Sequence, residues 1–290
     1  MKGIRRCTEV SSIGQKSFSA KSTANLFFSG GDTLGCTRRE SFVQRFYIAP
    51  ENWNRDALSL AGAEAHHARH VLRLQEGSRI AVFDGRGHEI TAEIVSLERD
   101  RIQLRKLNEA RTAPLHCRIT LAQAIPKGKN MDLIVQKAVE IGASEIAPLL
   151  SDRTIVSLRD ETALQKQQKW QQIAIEAAKQ SGQNWLPHVY PAKKVHDFFA
   201  GLALYDLQLI GSLQSDATHL KKVLGEYQAE HGRGPESVLM CIGPEGDFTP
   251  AELNLARSHG CRPITLGPII LRVETAAIYC LSILSYELLI

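Results

Sequence analysis

The chain has 290 residues, enough for one large domain or two ordinary ones, and 43% of them are apolar, which is enough for a sizeable buried core. No uninterrupted apolar run reaches the roughly 18–20 residues that a bilayer span needs, so the sequence predicts a soluble protein with no membrane partner. The net charge of +4 arises within residues 1–42, where seven basic residues face three acidic ones, so overall charge does not indicate a polyanionic partner.

The first 42 residues differ in composition from the rest. They are rich in Ser, Lys and Arg and poor in acids, and they show no sustained periodicity. Two interpretations stay open: a disordered extension, or an organellar targeting segment. The expected location is accordingly the cytoplasm, or a mitochondrion or plastid if this segment is a transit peptide.

A small β-rich domain is predicted over residues 43–112. The stretch "RFYIAP" begins it, "SLAGAEAHHARHVLRL" reads as a helix, and alternating β-branched residues surround a hairpin turn at Asp84–Gly87. On the helix, four cationic side chains have the spacing of a single face: His66, Arg69, His70 and Arg73. The stripe predicts contacts to RNA phosphates, with an ordinary polar face as the alternative.

No metal site is predicted. The six cysteines form no CxxC pair, and no carboxylate or cysteine near His66 and His70 completes a set of ligands. Cys241 and Cys280 lie in apolar runs, where a free cysteine behaves as a small hydrophobic residue. A reducing compartment is the simplest interpretation.

Strands and helices alternate over residues 115–290, which predicts an α/β domain with a mostly parallel sheet. Within it, the strand "SVLMCI" ends in "GPEGDFTPAE". Thr249, Pro250 and Glu252 have the pattern of a helix cap, with Glu252 placed to bond back to the cap residue. The preceding Gly243–Gly246 turn fits either an ordinary connection or a ligand cradle, because α/β folds bind ligands at the carboxyl ends of their strands.

A second Gly-Pro loop favours the cradle. "PITLGPIILRVETAA" also ends a strand and turns through Gly267-Pro268 before the last helix. Three apolar residues, Ile269 to Leu271, precede that helix, and we expect them to be buried against a ligand or another part of the chain. Two such turns after consecutive strands predict two walls of one pocket. The dinucleotide, P-loop and nucleophile-elbow motifs are absent.

Four ordered motifs, "PKGKNMDLIVQKAVEIG", "EAAKQSG", "IGPEGDFTPAE" and "LGPIILRVETAA", resemble the RsmE family. These are SPOUT-superfamily methyltransferases that modify N3 of a uridine in bacterial 16S ribosomal RNA. The resemblance covers about residues 43–290. It implies a SPOUT trefoil-knot domain with a mostly parallel sheet, preceded by a small PUA-like β-barrel domain, and it implies a homodimer acting on 16S rRNA or the small ribosomal subunit.

The resemblance also implies a cofactor, S-adenosyl-L-methionine, held largely by backbone groups of the two loops. The matching positions are Ile242, Gly243, Pro244, Glu245, Gly246, Leu266, Gly267, Ile270, Leu271 and Arg272. Three positions depart from the family pattern, which has glycine where this chain has Asp247 and arginine where it has Ile269 and Gln183. The two missing arginines bear on RNA phosphate contacts and on the choice of uridine, and not on the chemistry.

Methyl transfer to uracil N3 requires loss of the N3 proton, so a base or a charge-stabilising cation is expected. Arg272 is the candidate for charge stabilisation or orientation, and Glu274 for a structural or proton-handling role. The alternative for both is an ion pair that caps the last helix. RNA contacts are predicted for Arg45, Lys127 and Lys129, in addition to the cationic stripe.

Two other functions remain open from the sequence. One is a SPOUT methyltransferase with a different RNA target. The other is an RNA-binding or ribosome-assembly protein that keeps the fold without catalysis.

Overall fold

The computed structural model describes residues 43–154 and 160–289. The predicted disordered or targeting extension, residues 1–42, lies outside the described residues.

A five-stranded sheet forms the first part of the described chain, with strand order β1-β3-β4-β5-β2. Its strands are β1 (Gln44–Tyr47), β2 (Ser59–Ala61), β3 (Arg79–Phe83), β4 (His88–Leu97) and β5 (Arg101–Arg111). The β3–β4 connection is the predicted hairpin turn. Asp84 is buried there, and its carboxylate accepts hydrogen bonds from the amides of Arg86 (2.7 Å) and His88 (3.1 Å), which closes the turn.

The cationic stripe is not continuous, so this part of the sequence interpretation was wrong. The α-helix α1 covers only Gly62–His66 and passes into a π-helical turn at His67–Val71. Arg73 follows the helix with a left-handed φ of 53°. A π turn holds more residues than an α turn, so the 3.6-residue spacing assumed for the stripe does not apply. His66 and His70 still share a face, with ring centroids 4.6 Å apart.

The larger sheet has eight strands, and seven of them follow the order β11-β13-β10-β12-β6-β7-β8, while β9 pairs with β7. The strands are β6 (Arg118–Ala124), β7 (Glu145–Leu150), β8 (His188–Val189), β9 (Lys193–Lys194), β10 (Leu207–Gly211), β11 (Thr218–His219), β12 (Ser237–Ile242) and β13 (Arg262–Thr265). Every pairing in this sheet is parallel, as predicted from the alternation of elements.

Helices cover both faces of the larger sheet. They are α2 (Asn130–Ile141), α3 (Asp160–Ser181), α4 (Val195–Ala200), α5 (Leu220–His231), α6 (Pro250–Ser258) and α7 (Val273–Leu288). Strand β12 shows why both faces are apolar: alternate side chains enter a core with α2, α3, α5 and α7, and the others enter a core with α4 and α6. Among residues 43–154 and 160–289, no helix is long and apolar enough to cross a membrane.

Residues 183–187 join the small sheet to the larger domain, within one compact unit. Arg45 donates to Asn184 Oδ1 (2.6 Å) and pairs with Glu89, and Asn184 donates to Thr112 Oγ1 (2.9 Å). Gly87 fits closely against this segment: a Cβ there would lie 2.6 Å from the Thr112 carbonyl oxygen. Arg45, predicted to contact RNA, is therefore engaged inside the protein, where it links the two sheets.

Candidate active site

A cavity of about 450 Å³ opens at the carboxyl ends of three neighbouring strands, β13, β10 and β12. Loops after all three strands form its walls, together with the start of α7. The structure brings together all ten residues predicted to bind the cofactor, and each of them lines the cavity: Ile242, Gly243, Pro244, Glu245, Gly246, Leu266, Gly267, Ile270, Leu271 and Arg272. Their binding role itself remains a prediction.

The loop after β12 is tightly folded. The Asp247 amide donates to the Pro244 carbonyl oxygen at 3.0 Å, which closes a turn. A Cβ on Gly243 would lie 3.1 Å from both the Phe248 ring and its amide nitrogen, so this close approach favours glycine. Gly246 has a φ of +90°, with open space around its Cα. At Gly246 the loop therefore presents backbone that carries no side chain.

The predicted helix cap after this loop is confirmed. Thr249 Oγ1 accepts from the Glu252 amide, and the Glu252 carboxylate accepts from the Thr249 amide at 2.9 Å. The structure adds two partners that the cap motif did not indicate. Glu252, which is buried, also accepts from Ser151 Oγ (3.1 Å) and from the Asp152 amide (2.9 Å), both in the loop after β7.

The same β7 loop contacts the cavity wall through Arg153. Its guanidinium donates to the carbonyl oxygens of Gly246 and, at 3.4 Å, Asp247. Sequence reasoning missed this residue, because 93 positions separate it from Gly246 and no motif links the two segments.

A third wall was also missed. Gly211, the last residue of β10, and the following Ser212 and Leu213 line the cavity between the two predicted loops. The Ser212 amide donates to the Ile264 carbonyl oxygen at 2.9 Å, which continues the sheet pairing beyond β10. The available signal was a Gly-Ser pair directly after an apolar strand; it lacks the proline that made the other two loops conspicuous.

Arg272 and Glu274 do not form the capping ion pair that was the alternative interpretation. Arg272 is the residue before α7, and its exposed side chain has no hydrogen-bond or carboxylate partner within the described chain. Glu274 accepts instead from Asn130 Nδ2 at 3.2 Å, at the start of α2. The guanidinium is therefore available at the cavity, and α2 holds the carboxylate.

Ile269 and Ile270 are not buried as expected. They are 74% and 77% exposed, although both line the cavity. We expected a ligand or another part of the chain to bury these side chains, and no residue of the described chain does so.

The remaining residues predicted to contact RNA are exposed. Lys127 and Lys129 lie in the loop before α2, and the Lys127 amide donates to Glu245 Oε1 at 3.1 Å, which places this loop beside the cavity. His66, Arg69, His70 and Arg73 are exposed on the small domain, where Arg69 donates to the Glu98 carbonyl oxygen at 3.0 Å. The structure thus gives two exposed cationic segments, one in each domain.

The thiols near the site are held neutral. A hydrogen bond with Cys261, which is the larger cause, and burial raise the pKa of the Cys241 thiol well above its ordinary value. Burial likewise raises the pKa of Cys280 in α7 to about 12. Thiolate is the nucleophilic form, so neither cysteine is suited to covalent catalysis. Among the described residues, no group of His, Cys, Asp and Glu side chains could hold a metal ion.

Comparison with known families gives two matches. A family model described as an RNA methyltransferase domain matches residues 113–285. A second, described as an RNA methyltransferase PUA domain, matches residues 60–107. The first match covers the larger sheet and all three loops of the cavity, and the second covers most of the small sheet but not β1.

Two individual relatives of this chain have the same name. The chain is 32% identical to ribosomal RNA small subunit methyltransferase E of Bacillus subtilis, over 79% of this chain and 90% of the relative. It is 34% identical to the Synechocystis protein of the same name, over 83% of this chain and 78% of that one.

A solved structure agrees with these relatives. Ribosomal RNA small subunit methyltransferase E of Neisseria gonorrhoeae, bound to S-adenosyl methionine, is 32% identical and superimposes with a TM-score of 0.74. The match covers 85% of this chain and 98% of that one, and it confirms the predicted fold class of a SPOUT-type domain preceded by a PUA-like domain. The chain therefore belongs to the ribosomal RNA small subunit methyltransferase E family.

Proposed function

We propose that this protein transfers a methyl group from S-adenosyl-L-methionine to N3 of a uridine in 16S ribosomal RNA. The main support is the cavity at the carboxyl ends of β10, β12 and β13, because every residue predicted to bind the cofactor lines it. The chain also belongs to a family of RNA methyltransferases. The target atom follows from the family that the sequence motifs resemble.

The cavity fits the cofactor in size and lining. Its volume of about 450 Å³ lies within the range of about 300–1,000 Å³ typical of small-molecule sites. At Gly246 and Gly267, both in the left-handed region, a Cβ would meet nothing within 4 Å, so backbone groups are accessible from the cavity. Loop backbone of the three walls would hold the adenosyl and methionine parts, and apolar side chains such as Leu266 and Ile270 would contact the adenine.

The bound cofactor supplies an electrophilic methyl group, and the protein supplies position and charge. Uracil N3 must lose its proton as it attacks, so negative charge develops on the base. Arg272, exposed at the cavity and without a partner in the described chain, is placed to stabilise that charge and to orient the base. Glu274 is oriented by Asn130 and lines the same cavity, where it can accept the proton or fix the local structure.

RNA binding is assigned to the two exposed cationic segments. Lys127 and Lys129 would contact phosphates close to the methylated nucleotide, since their loop bonds to the cavity wall. The small domain would contact RNA farther from the reacting base, through the exposed segment around Arg69 and His70. Arg45 is not included, because its guanidinium is engaged between the two sheets.

A homodimer is proposed because apolar side chains are exposed on α7 and in the loop before it. Ile269 and Ile270 are largely exposed, and so is Tyr286 of α7 at 72%. Tyr279, one heptad before Tyr286 on α7, is 44% exposed. A contiguous exposed apolar patch on a monomer indicates an interaction surface. Sedimentation analysis should show a dimer, and Tyr286→Glu should shift it toward monomer; a monomeric parent protein would contradict this assignment. The proposed location is the compartment that holds the ribosomes on which the protein acts.

Transfer assays with labelled cofactor and undermethylated small subunits test the function. We expect 3-methyluridine in the product, and Arg272→Ala should lower kcat by about 10²–10³-fold while cofactor binding measured by calorimetry persists. Arg233→Ala is the matched control, because Arg233 is an exposed arginine that precedes the amino end of β12 and pairs with Asp206.

Each contrary result has a distinct meaning. No binding of S-adenosylmethionine would favour a non-catalytic ribosome-assembly role. Transfer to a nucleotide other than uridine would show a different target, consistent with the departures at Asp247, Ile269 and Gln183. Full activity of Arg272→Ala would remove that residue from the mechanism.

A further inference from the structure

Asp247 adopts a left-handed backbone conformation that glycine adopts at lower cost. Its φ is 69°, and besides Arg73 it is the only non-glycine residue of the described chain with a positive φ. For an L-residue with a Cβ, the left-handed region costs roughly 1–2 kcal/mol, a penalty that glycine avoids. The family pattern has glycine here, so this chain accepts strain that another residue would remove.

The carboxylate of Asp247 makes two hydrogen bonds that offset this strain. Oδ1 accepts from the Phe248 amide at 2.8 Å, a local contact within the loop after β12. Oδ2 accepts from the Leu213 amide at 3.1 Å, and Leu213 belongs to the loop after β10. The second bond joins two walls of the cavity across 34 residues of sequence.

The backbone of Gly246 and Asp247 is held by hydrogen bonds from a third loop. Arg153, in the loop after β7, donates to the carbonyl oxygens of Gly246 and Asp247. The side chain and the backbone of Asp247 thus bond to loops from two different strands. The Leu213 side chain is 62% exposed and contributes little packing to hold its loop.

We propose that Asp247 is a positioning residue: its carboxylate holds the loop after β10 against the loop after β12 and so preforms the cofactor cavity. This rests on the proposed function, since it assigns a role within the same site. Loops already arranged for the ligand lose less conformational entropy on binding, so the bond to Leu213 increases affinity for the cofactor without touching the reacting atoms.

Two substitutions remove the hydrogen bonds of the Asp247 carboxylate to different extents. Asp247→Gly removes both hydrogen bonds and also removes the φ strain. Asp247→Asn tolerates the left-handed conformation but offers one acceptor oxygen to two amide donors, so one bond is lost. Asp216→Asn is the matched control, because Asp216 lies in the same loop after β10 but pairs with Arg257 of α6.

Calorimetry with S-adenosylmethionine is the primary measurement. We expect Asp247→Gly to raise Kd about tenfold and Asp247→Asn to raise it by a smaller factor, with Asp216→Asn unchanged. In transfer assays, KM for the cofactor should rise in parallel, while kcat and KM for the RNA stay within about twofold of the parent values. The Tm of Asp247→Gly should stay close to that of the parent, because relief of the strain offsets the loss of the two hydrogen bonds.

Failure of this inference and failure of the proposed function give different results. If the parent protein does not bind S-adenosylmethionine, the proposed function falls. If the parent binds and both Asp247 variants bind equally tightly, the positioning role falls. It also falls if Asp216→Asn weakens binding as much as Asp247→Gly, or if Asp247→Gly lowers Tm and kcat together, since that is the signature of a merely structural residue.

Discussion

Replacement of Glu252 should cost more stability than a helix cap can account for. Its carboxylate is buried and accepts from the amide and hydroxyl of Thr249 and from Ser151 Oγ and the Asp152 amide, at 2.9–3.1 Å. The residue therefore caps α6 and connects that helix to the loop after β7. Glu252→Ala removes both functions at once.

The magnitude follows from these contacts. Loss of an N-terminal cap costs about 1 kcal/mol, and leaving a buried donor without its charged acceptor costs about 1–3 kcal/mol. Ser151 is buried and its Oγ loses that acceptor, whereas Asp152 is exposed and its amide can bond to water, so we expect Glu252→Ala to lower the free energy of unfolding by about 2–4 kcal/mol. Thr249→Ala removes the hydroxyl of the cap but leaves both β7 contacts, and should cost about 1 kcal/mol.

Urea unfolding, followed by tryptophan fluorescence and by far-UV circular dichroism, measures both variants. Coincident transitions from the two probes establish that the unfolding is two-state and that midpoints can be compared. Glu252→Gln is a third variant of nearly the same volume; it keeps one acceptor oxygen and should fall between the other two.

Equal losses for Glu252→Ala and Thr249→Ala would refute this reasoning. They would mean that Glu252 acts only as a cap and that its bonds to the β7 loop contribute no net stability.

Three further predictions concern other parts of the molecule. Gly87→Ala should lower the free energy of unfolding by about 3 kcal/mol because its Cβ meets a carbonyl oxygen, whereas Gly225→Ala, within α5 and free of contacts, should raise it by about 0.5–1 kcal/mol; urea midpoints check both. The neutral Cys280 thiol stabilises the fold fully below pH about 9, its ordinary value, and that stability is lost as the pH rises toward its folded pKa of about 12. Cys280→Ala should therefore flatten the alkaline decline of the midpoint, and an unchanged slope would contradict this. Arg69→Ala should weaken rRNA binding and reduce its salt dependence by about one released ion, measured by filter binding across salt concentrations, while Arg45→Ala should lower Tm without changing that dependence.

Local chemistry explains which parts of the site were predictable. A strand followed by Gly-Pro, or a Thr-Pro-x-Glu cap, is determined by residues within a few positions of each other, so sequence alone indicates the loops after β12 and β13 and the start of α6. Parallel topology then places the ends of those strands at one edge of the sheet. This is why all ten residues assigned to the cofactor line the same cavity.

Contacts distant in sequence were not predictable in the same way. The bonds from Arg153 to Gly246 and from Leu213 to Asp247 join segments that share no periodicity or motif, and only the folded sheet brings them together. A short-range pattern was also misleading in the case of the cationic stripe. Its spacing assumed a regular α-helix, and the π turn at His67–Val71 changed the face on which Arg73 lies.

By itself, the sequence determined the class of fold, the two conspicuous loops and the family, because each depends on short-range patterns of apolar and turn-forming residues. The tertiary structure alone decided the partners of the charged side chains. Arg45 joins the two sheets, Arg272 faces the cavity without a carboxylate partner in the described chain, and Asp247 links two cavity walls. The physical reason is that hydrogen bonds and ion pairs act over a few ångströms in space, whatever the separation along the chain.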